Sequence, residues 1–399
     1  MLRVLDLAEE TVRHFGSNGY TDVDLPGQSF HAEKPVAETA MLLHACSGIS
    51  DRPGVVRRVQ ELASFLAPYA RSKGVLIELA LRPALAFKFA VPHILISRLG
   101  YLDPAFDQML IECAKAEVRN GVDRAPTAEL ERCWIQSHWH IETVNHKLPG
   151  LLTNSVLASP LDVLGGLRSD TYAFTHMIMY ASDFGLRSVR LPRARAAILE
   201  DASALLARYV DSEDYDLAGE ILLSWPFLGS RWSAASSAVF RLLTNLEDRA
   251  GILPGGLIDG QRLARLEGHE QGIYALANSY HTSYVMGFIC AAALAHGRAP
   301  PRKITGRRYP AELRHIERYV QRDQGHYHEL FDSLHASERE ALAPFLLDLA
   351  IAQCARRRDY DAMRQLLKLA LDLQLASRPI CGQAAELLTR LATCAAAIR

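Results

Sequence analysis

Thr175-His176-Met177-Ile178-Met179-Tyr180-Ala181-Ser182-Asp183 places an imidazole, a phenol and a carboxylate at i, i+4 and i+7, on one face of a helix. The other faces are apolar, so the polar stripe is expected inside the protein. Tyr280-His281-Thr282-Ser283-Tyr284-Val285-Met286 repeats the theme. Leu217-Ala218-Gly219-Glu220-Ile221-Leu222-Leu223 encloses a glutamate with no basic residue within a turn. Polar groups are expensive to bury unless they are paired or bound to something. Three of them in similar settings point to a site.

Working outward, apolar-all-round segments alternate with striped ones. Segments 171–184, 215–228 and 273–295 are apolar on every side. Segments 193–210 and 234–249 carry Leu205, Tyr209, Leu242 and Leu246 on one face and Arg208, Glu200, Arg241 and Asp248 on another. A helix apolar all round is buried, and a striped one lies at the surface. Strand alternation is nearly absent, so the chain reads as all-α. Asp103-Pro104, Pro126-Thr127 and Leu191-Pro192 read as helix starts. Pro83 and Pro92 are expected to cut the apolar stretch 75–99, and residues 296–310 read as a solvated linker. Three regions are expected: an N-terminal helical region over 1–135, a central ring-like region over 136–300 carrying the site, and a C-terminal helical region over 301–399.

The chain has 399 residues, 49% hydrophobic and 22% charged, with a net charge of −1. That length supports a large core. The charge balance leaves no basic field for nucleic acid or an anionic membrane. The longest apolar run, 285–295, is shorter than the about 20 residues needed to cross a bilayer. Seven cysteines are scattered singly without a CxxC pair. This argues against thiolate zinc sites and a disulfide framework and fits a reducing cytoplasm. The arginine excess over lysine suggests a bacterial source. No P-loop, GxGxxG, GxSxG or HExxH motif occurs.

The candidate chemistry therefore rests on the buried stripes. His176, Glu220 and His281 together would make a two-histidine, one-carboxylate set suited to iron(II), with zinc or copper as other first-row ions. Tyr180 and Tyr284 would line the pocket or donate protons, and Asp183 would orient an imidazole. In Ser137-His138-Trp139-His140, either His140 or His138 could serve as a further ligand or proton shuttle, with Trp139 as a wall.

The alternation over residues 160–295 resembles the α/α toroids of terpenoid cyclases, protein prenyltransferases and lanthionine cyclases. The resemblance implies a double ring of helices, with extra N- and C-terminal helices here. It implies chemistry at the central opening on inner-helix residues, here His176, Asp183, Glu220 and His281. The DDxxD and DxDD motifs and the cysteine ligands of those families are absent, so their substrate classes are not implied.

The leading expectation is a metal-dependent enzyme, an oxidoreductase of bacterial biosynthesis, acting on a small and partly apolar molecule in a helical cavity. The rivals are a non-enzymatic helical scaffold and a metal-free cyclase or isomerase using Asp183 and Glu220 as acid and base. Neither nucleic acid nor membrane is expected as a partner, and a dimer is compatible with the composition.

Overall fold

The computed structural model describes residues 1–117, 124–139, 147–256, 258–320 and 326–397. Among the described residues the chain is helical, with no strand beyond an isolated antiparallel bridge between Tyr20 and Phe30. The first eight helices are α1 (Leu2–Phe15), α2 (Glu33–Cys46), α3 (Pro53–Ala70), α4 (Lys73–Leu81), α5 (Ala86–Arg98), α6 (Pro104–Glu117), α7 (Pro126–His138) and α8 (Leu148–Thr153). Next come α9 (Arg168–Ala181), α10 (Arg195–Asp211), α11 (Tyr215–Leu222), α12 (Ser224–Phe227), α13 (Ala234–Ala250), α14 (Gly260–Leu263) and α15 (Gly268–Ala295). The last six are α16 (Pro310–Glu317), α17 (Tyr327–Ser333), α18 (Ala336–Ala341), α19 (Ala343–Arg357), α20 (Tyr360–Asp372) and α21 (Pro379–Ala397). No helix is long and apolar enough to cross a membrane, among the described residues.

The chain forms two compact units that do not follow chain order. Unit 1 comprises Met1–Ser155, His176–Arg190 and Ala250–Ala299; unit 2 comprises Val156–Thr175, Leu191–Arg249 and Pro300–Arg399. Helix α9 therefore gives its first two turns to unit 2 and the rest to unit 1.

In unit 1, α2 packs against α1, α3, α5 and α15. Helix α15 is buried along most of its length, as its all-round apolar sequence dictates. Its few polar side chains are put to use. Ser283 Oγ accepts the backbone N–H of Leu253 at 3.2 Å, and the Asn278 amide donates to the Tyr274 carbonyl at 2.8 Å. Gly287 lets three helices meet closely: a Cβ there would stand 2.8 Å from Leu42 Cδ1 on α2 and 2.8 Å from Val4 Cγ1 on α1.

One expected break is absent and one unexpected break is present. Pro83 ends α4 and begins a 3₁₀ turn, but α5 runs through Pro92. Pro92 forfeits one backbone hydrogen bond, and burial of Phe87, Val91, Ile94 and Leu95 holds the helix together regardless. Conversely, the apolar stretch 215–228 divides after Leu222. Pro226 has no N–H to offer the Leu222 carbonyl, so the chain tightens there. In unit 2, α19 packs on α10, α16, α20 and α21. Its fully buried Asp348 accepts from Arg378 of α21, with Nε to Oδ1 at 2.6 Å. Burial pushes the Asp348 carboxyl up, and Arg378 pulls it part of the way back. Cys46 and Cys133 are buried in unit 1, and Cys354 and Cys381 in unit 2. Burial pushes the thiols of Cys46 and Cys381 up to about 12.

Urea denaturation probes this packing in both units. Gly272 shares α15 with Gly287 but has nothing near its Cβ position. Gly272→Ala should stabilise by about 0.5–1 kcal/mol through helix propensity. Gly287→Ala should destabilise by about 1–2 kcal/mol, because overpacking outweighs the same propensity gain. In unit 2, Arg378→Met should cost about 3–5 kcal/mol by stranding a buried carboxylate, and adding Asp348→Leu should recover most of it.

Candidate functional site

The site begins with how α9 ends. The Asp183 N–H donates to the Tyr180 carbonyl at 3.2 Å, and the Phe184 N–H donates to the Met179 carbonyl at 2.9 Å. This is the Schellman pattern, whose left-handed position is usually glycine. Here that position is Asp183, with φ 53°, followed by Phe184 at φ 54° and Gly185 at φ 82°. Aspartate tolerates this region better than most residues, whereas a bulky phenylalanine there is a true outlier. Such strain costs on the order of 1–3 kcal/mol per residue and clusters at functional positions. The carboxylate also sits at a helix C-terminus, where the dipole disfavours negative charge.

Three donors converge on that carboxylate. Asp183 Oδ1 accepts Trp134 Nε1–H at 2.7 Å and lies 2.8 Å from His44 Nε2 and 2.9 Å from His138 Nε2. His44 lies two residues before the end of α2. Trp134 and His138 share a face of α7 at i, i+4. Both imidazoles are buried, and their centroids are 4.6 Å apart. Phe184 packs against His44, Trp134 and Phe288, and Tyr180 lies against Trp134, giving the cluster aromatic walls. Burial pushes the Asp183 carboxyl up, but hydrogen bonds from His138 and His44 outweigh it and hold it far below the usual range. Burial pulls the His138 imidazole down. Asp183 opposes that pull, while His44 and Arg98 reinforce it.

A second node in unit 1 has the same ingredients. His93 is fully buried, its Nε2 3.0 Å from Asp107 Oδ1, and Trp139 Nε1–H donates to the same oxygen at 3.0 Å. Arg71 Nε–H donates to His93 Nδ1 at 3.0 Å, and Phe106 stacks at 4.2 Å. With Arg71 donating to Nδ1, the ring proton sits on Nε2 and the imidazole is neutral.

The residues singled out from sequence lie as follows. Asp183 is in the first node, but not as the last step of a helical stripe, because α9 stops at Ala181. The turn glycine that would signal this stop stands two places late, at Gly185. Tyr180 is beside the node and donates to Glu131 at 3.0 Å. His176 is half-buried in unit 1, its ring 5.9 Å from Tyr180. His281 lies in unit 1 with Nδ1 3.2 Å from Glu38 Oε1. Burial is the largest influence on Glu38 and raises it, yet His281, Lys34 and Tyr280 together hold it low. Tyr284 is fully buried, its hydroxyl 2.9 Å from Thr39 Oγ1. Glu220 lies in unit 2, buried, and accepts from Thr175 Oγ1 at 2.5 Å. By unit, His176 and His281 belong to the first and Glu220 to the second. His140 lies outside the described residues. Sequence reasoning missed His44, His93 and Trp134. His44, in Leu42-Leu43-His44-Ala45-Cys46, carried the same signal as His176, a lone histidine in an apolar run.

The sign of the pH dependence follows from His93. Its pKa is lowered chiefly by burial, with Asp107 opposing and Arg71 reinforcing. A lowered histidine contributes stability that is present above the unfolded value of about 6.5 and lost as pH falls below it. Stability in urea should therefore fall between pH 7 and pH 5. His93→Gln should flatten that fall by up to about 1.4 kcal/mol per pH unit.

No curated protein and no solved structure matches the chain. Residues 1–291, which contain both nodes, match the family model described as "Domain of unknown function (DUF6895)". Since that match spans most of its length, the chain belongs to the DUF6895 family.

Proposed function

We propose that His44, His138 and Asp183 hold a divalent first-row transition metal, and that the protein is a metal-dependent enzyme acting on a small, partly apolar molecule. The observation that carries this reading is the convergence of two buried imidazoles and a carboxylate within 4.8 Å of one another. Two-histidine, one-carboxylate sets suit iron(II) and are accepted by zinc. Two ligand atoms about 2.1 Å from one ion and at right angles lie about 3.0 Å apart. The Nε2 to Oδ1 distances of 2.8 and 2.9 Å are close to that edge.

Three further features support it. Trp134, whose Nε1–H donates to the same Oδ1, would orient the carboxylate as outer-sphere donors do. A cation would relieve the misfit of a carboxylate at a helix C-terminus. The left-handed Asp183 makes sense if its side chain is needed more than the turn needs a glycine. A bound ion would supply a Lewis acid with free positions for water or substrate. Protons compete with a metal for imidazole nitrogens, so affinity should weaken as pH falls. Phe184, Tyr180 and Trp134 would face the apolar part of the substrate. Every group used belongs to unit 1, so the proposal needs no α/α toroid.

Calorimetric titration of chelator-treated protein with iron(II) under argon, and with zinc, tests this reading. One equivalent should bind, and 100-fold excess over Kd should stabilise by about 2.7 kcal/mol. His138→Ala and Asp183→Gly should each weaken binding at least 100-fold. Glycine suits the turn, so Asp183→Gly should keep the helical circular dichroism. Wild-type protein that takes up neither these ions nor copper would reduce the cluster to a hydrogen-bonded structural node.

A further inference from the structure

A separate cleft opens in unit 1, with a volume of about 700 Å³, lined by residues of α2, α3, α4 and α5. Its walls are apolar and aromatic, including Val36, Phe65, Tyr69, Phe89 and Pro92. Its size lies within the range of small-molecule sites, roughly 300–1,000 Å³. Ala37, its last residue on α2, stands seven residues before His44, about 10 Å along the helix. The cleft and the histidine cluster are therefore distinct places, and the cleft's ligand is independent of any metal at His44.

The charges at the cleft decide its ligand. Lys73, at the start of α4, and Lys88, on α5, both line it, and neither has an ion-pair partner among the described residues. By contrast, basic side chains on α3 and flanking α4 are engaged: Arg58 with Asp6 and Glu9, Arg71 with Asp103, and Arg82 with Glu78. Glu33 is the sole acid of the lining, so two lysines stand against one glutamate and leave a net charge of +1. That net charge on a lining otherwise rich in apolar and aromatic side chains complements a molecule with one negative head and an apolar body. A neutral apolar molecule would leave the lysines unused, and a dianion would meet Glu33.

We propose that this cleft is a binding site for a singly charged organic anion with an apolar body, of the class represented by medium-chain carboxylates. Lys73 and Lys88 would hold the carboxylate, and Phe65, Tyr69 and Phe89 would cover the chain.

The test titrates the full chain calorimetrically with decanoate and, separately, with decanol. Decanoate should bind saturably at one site, at least tenfold tighter than decanol, with affinity falling as salt rises. The double variant Lys73→Gln/Lys88→Gln should weaken decanoate at least tenfold and leave decanol unchanged. Both lysines are exposed, so folding is not at stake. Ser64→Trp, at an exposed lining position, should fill the trough and abolish both. Equal affinity for decanoate and decanol, an unchanged double variant, or no saturable decanoate binding would each overturn the assignment.

Discussion

One carboxylate oxygen organises the most unusual part of this molecule. Asp183 Oδ1 gathers an indole N–H and an imidazole from α7 and a second imidazole from α2, so that it joins two segments far apart in the chain to the end of α9. To reach them, the backbone accepts two successive left-handed residues other than glycine. Neither strain nor a buried charge is tolerated without compensation elsewhere. The compensation is electrostatic: paired donors keep the carboxylate ionised in a place that burial alone would make it neutral. Remove that oxygen and His44, His138 and Trp134 lose their common partner.

The same construction occurs twice on opposite ends of one short stretch. Trp134 and His138 serve Asp183, while Trp139, one residue beyond α7, serves Asp107. The two nodes differ in their outer partner. The second is closed by Arg71, which occupies the remaining ring nitrogen of His93. That closure makes the second node a fastener. In the first node both Nε2 atoms meet one carboxylate oxygen and the two imidazole rings stand 4.6 Å apart.

Much of the helical content was legible because periodicity and proline punctuation are local. Pro104 and Pro126 start helices as read, although α10 begins at Arg195 rather than at Pro192, and the all-round apolar character of 273–295 marks a buried helix. The site was less legible, for three physical reasons. Helical spacing placed Asp183 on a stripe with His176, but a turn with no glycine at its left-handed position gives no local signal. The partners, His44 and His138, are set by packing of α2, α5 and α7, which no spacing in the chain encodes. The two units are each assembled from three separated stretches, an organisation that no local spacing in the chain encodes.

The buried thiols give the fold an internal report on its own integrity. Two lie in each unit, and burial suppresses the thiolate form of Cys46 and Cys381 that alkylating agents attack. Their modification must wait for the surrounding helices to part. The natural chain thus carries its own stopwatch for opening, one pair of sulfur atoms per body, with exposed Cys394 as the reference that reacts at once.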